Sequence, residues 1–517
     1  MTAYFKYITN RNFFFFALLL VLIGMPLSKF LMSVGQFALL GSWLAEGNWK
    51  EKWNNNKSSL LFWVSVSFFI LHLIGLLWTS NFEYALHDLK IKLPLLWFPL
   101  LFLTTQHVLS KKETQALLWL FVLSVLLASI ICLFVWLGFT KHQVIDVRDI
   151  SIFNSHIRFA LMIDLSIAFL LYCIFNEIEK KWIPLKLIFA IWLIVFLFIM
   201  QSVTGIVILF LILFYFLIRN VFLKINFRIK LFAGSIILIL TIVGVLWLKN
   251  EVNRHFKING QLVKKEQTEN KNLFYHDEKS KEMENGYLVW SNICFEELEP
   301  SWNRRSKIKF NENDAKGNPI SSTIIRFITS KGHYKDASGI NKLTDEEIKL
   351  IENGVANYLY TNQSGIKSRI HEFIYEYHSF KTNSNPSGHT MLMRLEFWKT
   401  GLLILKQNWI IGVGSGDVQD EFNLQYQRSS SQLKKEWWKR AHNQYLTVTI
   451  TCGLIGLIVF LCYLFVPAII VKYKHDLFYV FMMISIVSML NEDTLETQAG
   501  VTFFGLFYSF FLMKKET

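Results

Sequence analysis

Apolar runs of about 17 to 25 residues recur along this chain, each long enough to span roughly 30 Å of hydrocarbon. They lie near 11–27, 29–46, 59–78, 91–107, 113–139, 156–175, 185–201, 203–220, 230–248, 443–471, 475–490 and 498–514. Composition agrees: of 517 residues 53% are hydrophobic, only 18% are charged, and Phe alone supplies 47. The expectation is an all-α polytopic membrane protein with about twelve transmembrane helices. The second run is weakly apolar and also suits a re-entrant segment. No small-residue cleavage site follows "NFFFFALLLVLIG", so the first run reads as a retained anchor.

Charge supplies orientation. Lys and Arg crowd the tails and short loops of one side, whereas the short loops of the other hold only Lys29, Lys90, Lys92, Lys141 and Arg148. By the positive-inside rule both termini are cytoplasmic. Most of the net +14 is therefore topology signal, and no nucleic acid is needed to explain it. Of the cysteines, only Cys294 falls in the long loop, so no disulfide framework is expected there.

Three regions follow: helices one to nine over 1–248, a polar outer loop domain over 249–442, and helices ten to twelve over 443–517. Within the loop, "TDEEIKLIENGVANYLY" opens with a capping box from Thr344 to Glu347 and spaces Ile348, Ile351 and Val355 along one helix face. Further on, Leu395, Trp398, Leu402, Leu405 and Trp409 recur at three- and four-residue steps, predicting an amphipathic helix from 394 to about 408 that suits the membrane interface. Packing on the loop domain's own core is the alternative.

The chemistry-bearing residues gather where this loop meets the membrane. Arg158, in "SHIRFALMID", lies just inside a span with His156 beside it. An arginine there costs about 2.5–3.5 kcal/mol at mid-helix and less near the interface, so it has a partner, a job, or snorkels to headgroups. Arg394, Arg440 and His442 flank the loop's return to the membrane, with Asn443 next in line. Guanidinium groups fit phosphate oxygens by paired hydrogen bonds, and a histidine takes a proton from a hydroxyl. Together they would make a cationic pocket beside a general base. Each alone is more often structural.

Competing motifs fail. "GVGSGD" lacks the strand and βαβ setting of a dinucleotide site and reads as a tight turn, with an anion-binding nest of amides as the lesser alternative. "PSGH" is one piece of the lipid-phosphate phosphatase signature, whose Arg-Pro and downstream Ser-Arg pieces are missing. No Asp-x-Asp or His-x-x-x-His supports a metal site, and no cofactor is expected.

"RLEFWKTGLLILKQNWIIGVGSGD" followed by "RAHNQYLTVTITCGLIGLIVF" resembles the core of the O-antigen ligase/polymerase superfamily. "SHIRFALMI" and "NEDTLETQAGVTFFGLF" fit its further helices. The resemblance implies a metal-independent GT-C-type glycosyltransferase. It would move a glycan from undecaprenyl pyrophosphate to an acceptor hydroxyl, such as lipid A-core, on the periplasmic face of the bacterial inner membrane. It makes His442 catalytic and Arg394 a diphosphate contact, with Arg158 a second phosphate ligand; Arg440, His156 and Asn443 complete the expected substrate contacts. "QSVTG" stands where many members carry Ser-Arg-Gly, so either Arg158 or Arg440 would take over that charge or the phosphate site is organised differently. A glycan polymerase and a protein O-oligosaccharyltransferase differ only in acceptor, and a transporter or flippase for the same lipid is the non-enzymatic alternative.

Overall fold

The structure is a computed structural model that describes residues 2–140, 144, 147–176, 180–222, 242–253, 263–280, 282–359, 371, 373–377, 390–471 and 476–513. The chain divides into two compact units, one built from Met1–Lys224, Phe397–Ser430 and Trp438–Thr517, the other from Ile225–Glu396 and Ser431–Trp437.

The first unit begins with helices α1 (Thr2–Leu27), α2 (Lys29–Glu46), α3 (Trp49–Asn56), α4 (Leu60–Ile74), α5 (Phe82–Lys92), α6 (Pro94–Thr104), α7 (Lys111–Trp136), α8 (His156–Phe175), α9 (Ile183–Ile199) and α10 (Val203–Leu217). Among the described residues, seven helical segments are long and apolar enough to cross a membrane: Asn10–Leu27, Leu60–Trp78, Lys111–Trp136, His156–Phe175, Lys180–Ile199, Val203–Asn220 and Gln444–Ile470. The expected second span is the helix α2, which packs closely along α1; a side chain at Gly35 would meet the Val21 backbone nitrogen at 2.6 Å. The fourth is shorter than expected. Pro94 starts a new helix after Lys92, leaving 11 residues in α6, about 17 Å at 1.5 Å per residue. Most of the expected ninth span lies outside the described residues.

The second unit has its own core. A two-stranded hairpin pairs Met283 with Leu288 and Glu284 with Tyr287. Around it stand α11 (Phe295–Arg305), α12 (Ile320–Ser330), α13 (Ala337–Asn341) and α14 (Asp345–Glu352), which bury Trp302, Ile324, Ile328 and Ile351. The capping box is formed: the Thr344 side chain accepts the Glu347 N–H at 3.2 Å, and Glu347 accepts the Thr344 N–H at 2.9 Å. Ile348 and Ile351 are buried on the expected face, and Val355, beyond the helix end, packs against the same core.

The chain continues through α15 (Thr390–Gln407), α16 (Val418–Arg428), α17 (Gln444–Ile470), α18 (Asp476–Met489) and α19 (Gln498–Leu512). In α15 the face that packs within the first unit carries Phe397, Thr400, Gly401 and Ile404, and Gly401 lets the helix close on Ile450 and Leu446 of α17. The expected apolar stripe lies elsewhere: Leu402 and Trp409 are more than half exposed. Leu395, Trp398 and Leu405 of the same stripe are half-buried, and the Trp398 indole donates to the Ala441 carbonyl at 2.9 Å.

From Gly500 to Met513 every residue of α19 and its cap is buried. Its Phe503, Phe504 and Phe507 surround Phe481 of α18, and Phe507 meets Phe121 of α7 edge-on at 4.9 Å. Such ring pairs add about 0.5–1.5 kcal/mol beyond burial. The phenylalanine excess thus builds an aromatic core among the membrane helices.

Candidate active site

Two short connections bring the site together in the first unit. One is the polar stretch 439–443 that leads into α17; the other is "NEDTLE", 491–496, between α18 and α19. Asn443 caps α17, accepting the Leu446 N–H at 3.0 Å and donating through its amide to the Leu490 carbonyl at 2.9 Å. Gln444 fastens the second contact, donating to Glu496 at 3.0 Å and accepting the Leu495 N–H at 2.7 Å.

This tie fixes His442 in an uncommon backbone state. Its φ is +48°, in the left-handed region that costs a non-glycine residue roughly 1–2 kcal/mol. Asp493 helps to offset that cost. It accepts the His442 N–H at 3.1 Å through one carboxylate oxygen and the Thr447 hydroxyl at 2.8 Å through the other. The His442 ring lies 5.6 Å from that of Phe397, and its Nδ1 stands 3.8 Å from Oε2 of Glu492. The imidazole remains one-third exposed. With Nδ1 facing a carboxylate, Nε2 is the nitrogen left for an incoming group.

The same Glu492 oxygen holds Arg158, whose Nη1 is 3.0 Å away, while Nη2 donates to the Asp493 carbonyl at 3.1 Å. Arg158 is thus buried with a partner and does not snorkel. Its Nε, also buried, has no hydrogen-bond partner among the described residues. Arg440 lies on the other side of the loop, pairing with Glu496 at 3.2 Å and approaching the Tyr84 ring at 5.8 Å. Glu496 is shared with Lys92, at 2.7 Å, and Lys92 also grips Asp88 at 2.6 Å.

The cluster is consequently not a bare cationic pocket. Arg158, Arg440 and Lys92 face four carboxylates: Asp88, Glu492, Asp493 and Glu496. Burial pushes Asp88 up to about 6, against the pull of Lys92. Burial, and then the neighbouring Glu496, also raises Asp493. Burial works against Glu496 as well, but Lys92 and Arg440 outweigh it and hold this carboxyl below the usual range.

The structure therefore brings together Arg158, Arg440, His442 and Asn443 of the expected residues. His156 is the first residue of α8, half-buried, two positions before Arg158. Arg394 belongs to the second unit, in the first half of α15. The acids were missed by sequence reasoning, and so was Lys92 as their partner. The signal that could have found the acids is local: three of them in six residues, between two apolar spans.

"GVGSGD" forms the tight turn expected of it. Val413 and Gly414 donate to the Ile450 and Thr451 carbonyls of α17 at 2.9 and 3.0 Å. Ser415 donates to the His72 carbonyl at 2.7 Å, and Asp417 accepts the Ser80 and Asn81 N–H groups, both at 2.7 Å. A residue with a side chain at Gly412 would strike the Thr451 carbonyl. This turn anchors α17 beside α4 and the start of α5, and α5 carries Tyr84, Asp88 and Lys92 to the site.

No curated protein matches the chain. Residues 354–461 match the family model described as O-antigen ligase, a span that contains Arg394, the glycine turn, Arg440, His442 and most of α17. This match supports, over that segment, the resemblance to the O-antigen ligase superfamily carried by the same motifs.

Proposed function

We propose that this protein is a glycosyltransferase of the O-antigen ligase type. It moves a glycan from an undecaprenyl-diphosphate donor to an acceptor hydroxyl, lipid A-core in the first instance, at the periplasmic face of the bacterial inner membrane, with both termini in the cytoplasm. One observation carries the reading: His442, inside the family-matched segment, is held by Asp493 and backed at Nδ1 by a Glu492 carboxylate that also binds Arg158.

In the reaction the acceptor oxygen attacks the anomeric carbon, the bond from that carbon to the diphosphate oxygen breaks, and the diphosphate departs with the electron pair. Nε2 of His442 takes the hydroxyl proton. Glu492 stabilises the imidazolium so formed, as a carboxylate close to a newly charged ring does. A positioned base contributes about 100- to 10,000-fold. Arg158 and Arg440 orient the donor phosphates. Each guanidinium has five N–H donors, so engagement with Glu492 or Glu496 leaves others for phosphate oxygens. Arg394 takes the role its motif position implies, contacting the diphosphate. Preorganised charge of this kind stabilises the leaving group.

Reconstitution with an undecaprenyl-pyrophosphate glycan and candidate acceptors, in the presence of chelator, tests the proposal. The expected product is glycosylated lipid A-core. An elongated glycan on the lipid carrier would make the protein a polymerase, and a modified protein would make it a protein transferase. His442→Ala should lower turnover by at least about 100-fold, with donor binding retained. Unchanged glycan translocation and no transfer by either form would mark a transporter instead.

A further inference from the structure

The face of α5 that meets the site carries Tyr84, Asp88 and Lys92 at four-residue steps, which sets them along one side of the helix. Lys92 is the last residue of α5, two positions before Pro94 opens α6, and it is 1% exposed. An ammonium is buried this completely only beside anions, and Lys92 has two. Its Nζ stands 2.6 Å from Asp88 and 2.7 Å from Oε2 of Glu496.

The way Glu496 is occupied decides how Arg440 is held. Oε1 of Glu496 accepts the Gln444 amide at 3.0 Å, and Oε2 accepts Lys92. Arg440 reaches that same Oε2 through Nη1 alone, at 3.2 Å, the longer of the two contacts on the oxygen. A guanidinium beside a carboxylate frequently takes both oxygens in two parallel hydrogen bonds. Here Gln444 and Lys92 are already on them, so Arg440 is paired at one corner, with the Tyr84 ring 5.8 Å away and 19% of its side chain exposed. Its remaining N–H groups are left for another acceptor. Asp88 and Glu496 both attract Arg440. Without Lys92 they would be two buried carboxylates sharing that one guanidinium, drawing it inward and opposing an incoming anion by like charge.

We propose that Lys92 is a positioning residue for the donor diphosphate: it occupies Glu496 and balances Asp88, which keeps the free Arg440 donors available to phosphate oxygens. The inference rests on the transferase reading and adds to it a residue that acts only through Arg440.

Transfer by the full-length reconstituted protein, with the undecaprenyl-pyrophosphate glycan varied at fixed acceptor, tests it. Lys92→Met should raise the donor KM at least about tenfold, as loss of one hydrogen bond to a charged group does. Its kcat should stay within about threefold, because the binding lost is the same in ground and transition states. Lys92→Gln, which keeps a donor to Glu496 without the charge, is the milder variant and should show the same split at smaller size. Lys92→Met/Asp88→Asn should recover most of the affinity, since Arg440 then faces one carboxylate fewer. In an Arg440→Gln background, Lys92→Met should add nothing further to the donor KM, the non-additivity of residues that act together. A merely structural lysine would lower the unfolding temperature and leave the donor KM of the folded protein unmoved. That result in both Lys92 variants, with transfer by the wild type intact, overturns this inference alone, as do losses that add in full in Arg440→Gln. A wild-type protein that transfers no glycan removes the transferase reading and this inference with it.

Discussion

Arg158 shows how one contact changes the meaning of a residue. In the sequence it is an arginine near a helix end, and headgroups, a substrate phosphate or a protein carboxylate would each satisfy it. The 3.0 Å pair with Glu492, both side chains about nine-tenths buried, decides for the carboxylate. Removing one member of a buried pair leaves the other uncompensated and costs about 3–5 kcal/mol, while replacing both with apolar groups is often neutral. Arg158→Met should therefore lower stability by about that amount, and Arg158→Met/Glu492→Leu should recover most of it. Unfolding of the detergent-solubilised protein measures both. Equal losses in the single and double variants would show that Glu492 does not depend on Arg158. Both variants should lose transfer, the single one because Arg158 orients the donor phosphates, the double one also because Glu492 faces His442.

At the scale of elements, α17 owes its position to an interruption. Gly453 has φ +68° and ψ −167°, a region essentially reserved for glycine, in the middle of an apolar helix. Broken backbone is tolerated at membrane depth only where other protein groups satisfy it. Here the turn before the glycine motif does so: the Leu454 N–H donates to the Trp409 carbonyl at 2.8 Å, and that of Ile455 to Ile410 at 3.4 Å. Gly453 and the "GVGSGD" turn are thus two sides of one joint. A methyl group at 453 would collide with the Ile410 carbonyl. Gly453→Ala should thus cost at least about 1–3 kcal/mol from backbone strain, and should reduce transfer by displacing His442 at the helix start. Gly41→Ala, inside α2 with open space around its Cβ position, is the control: it should hold or slightly raise the unfolding temperature and leave turnover unchanged.

For the whole molecule, the charged network that joins α5, the entry to α17 and the loop before α19 sets a pH dependence. Asp88 and Asp493 have raised values in the folded protein, so the folded state binds more protons than the unfolded one as pH falls toward 5, and these groups add stability on acidification. Glu496 is depressed, so its contribution is present above the ordinary carboxylate range and is lost only as pH falls below it. The unfolding temperature in detergent should hold or rise slightly from pH 7 to about 5 and drop below about 4; a steady fall from pH 7 would contradict this assignment. The sequence by itself determined the helical membrane architecture, because hydrocarbon leaves an apolar run few other ways to satisfy its backbone. It also determined the capping box at Thr344, the tight glycine turn and the family motif around His442, since each is written in neighbouring residues. Only the tertiary structure decided which apolar face of α15 is buried, that α6 is short, and that Glu492, Asp493, Glu496 and Asp88 stand among the arginines. Those outcomes depend on contacts between residues as far apart as 158 and 492, and spacing along a chain carries no record of which distant charges will meet.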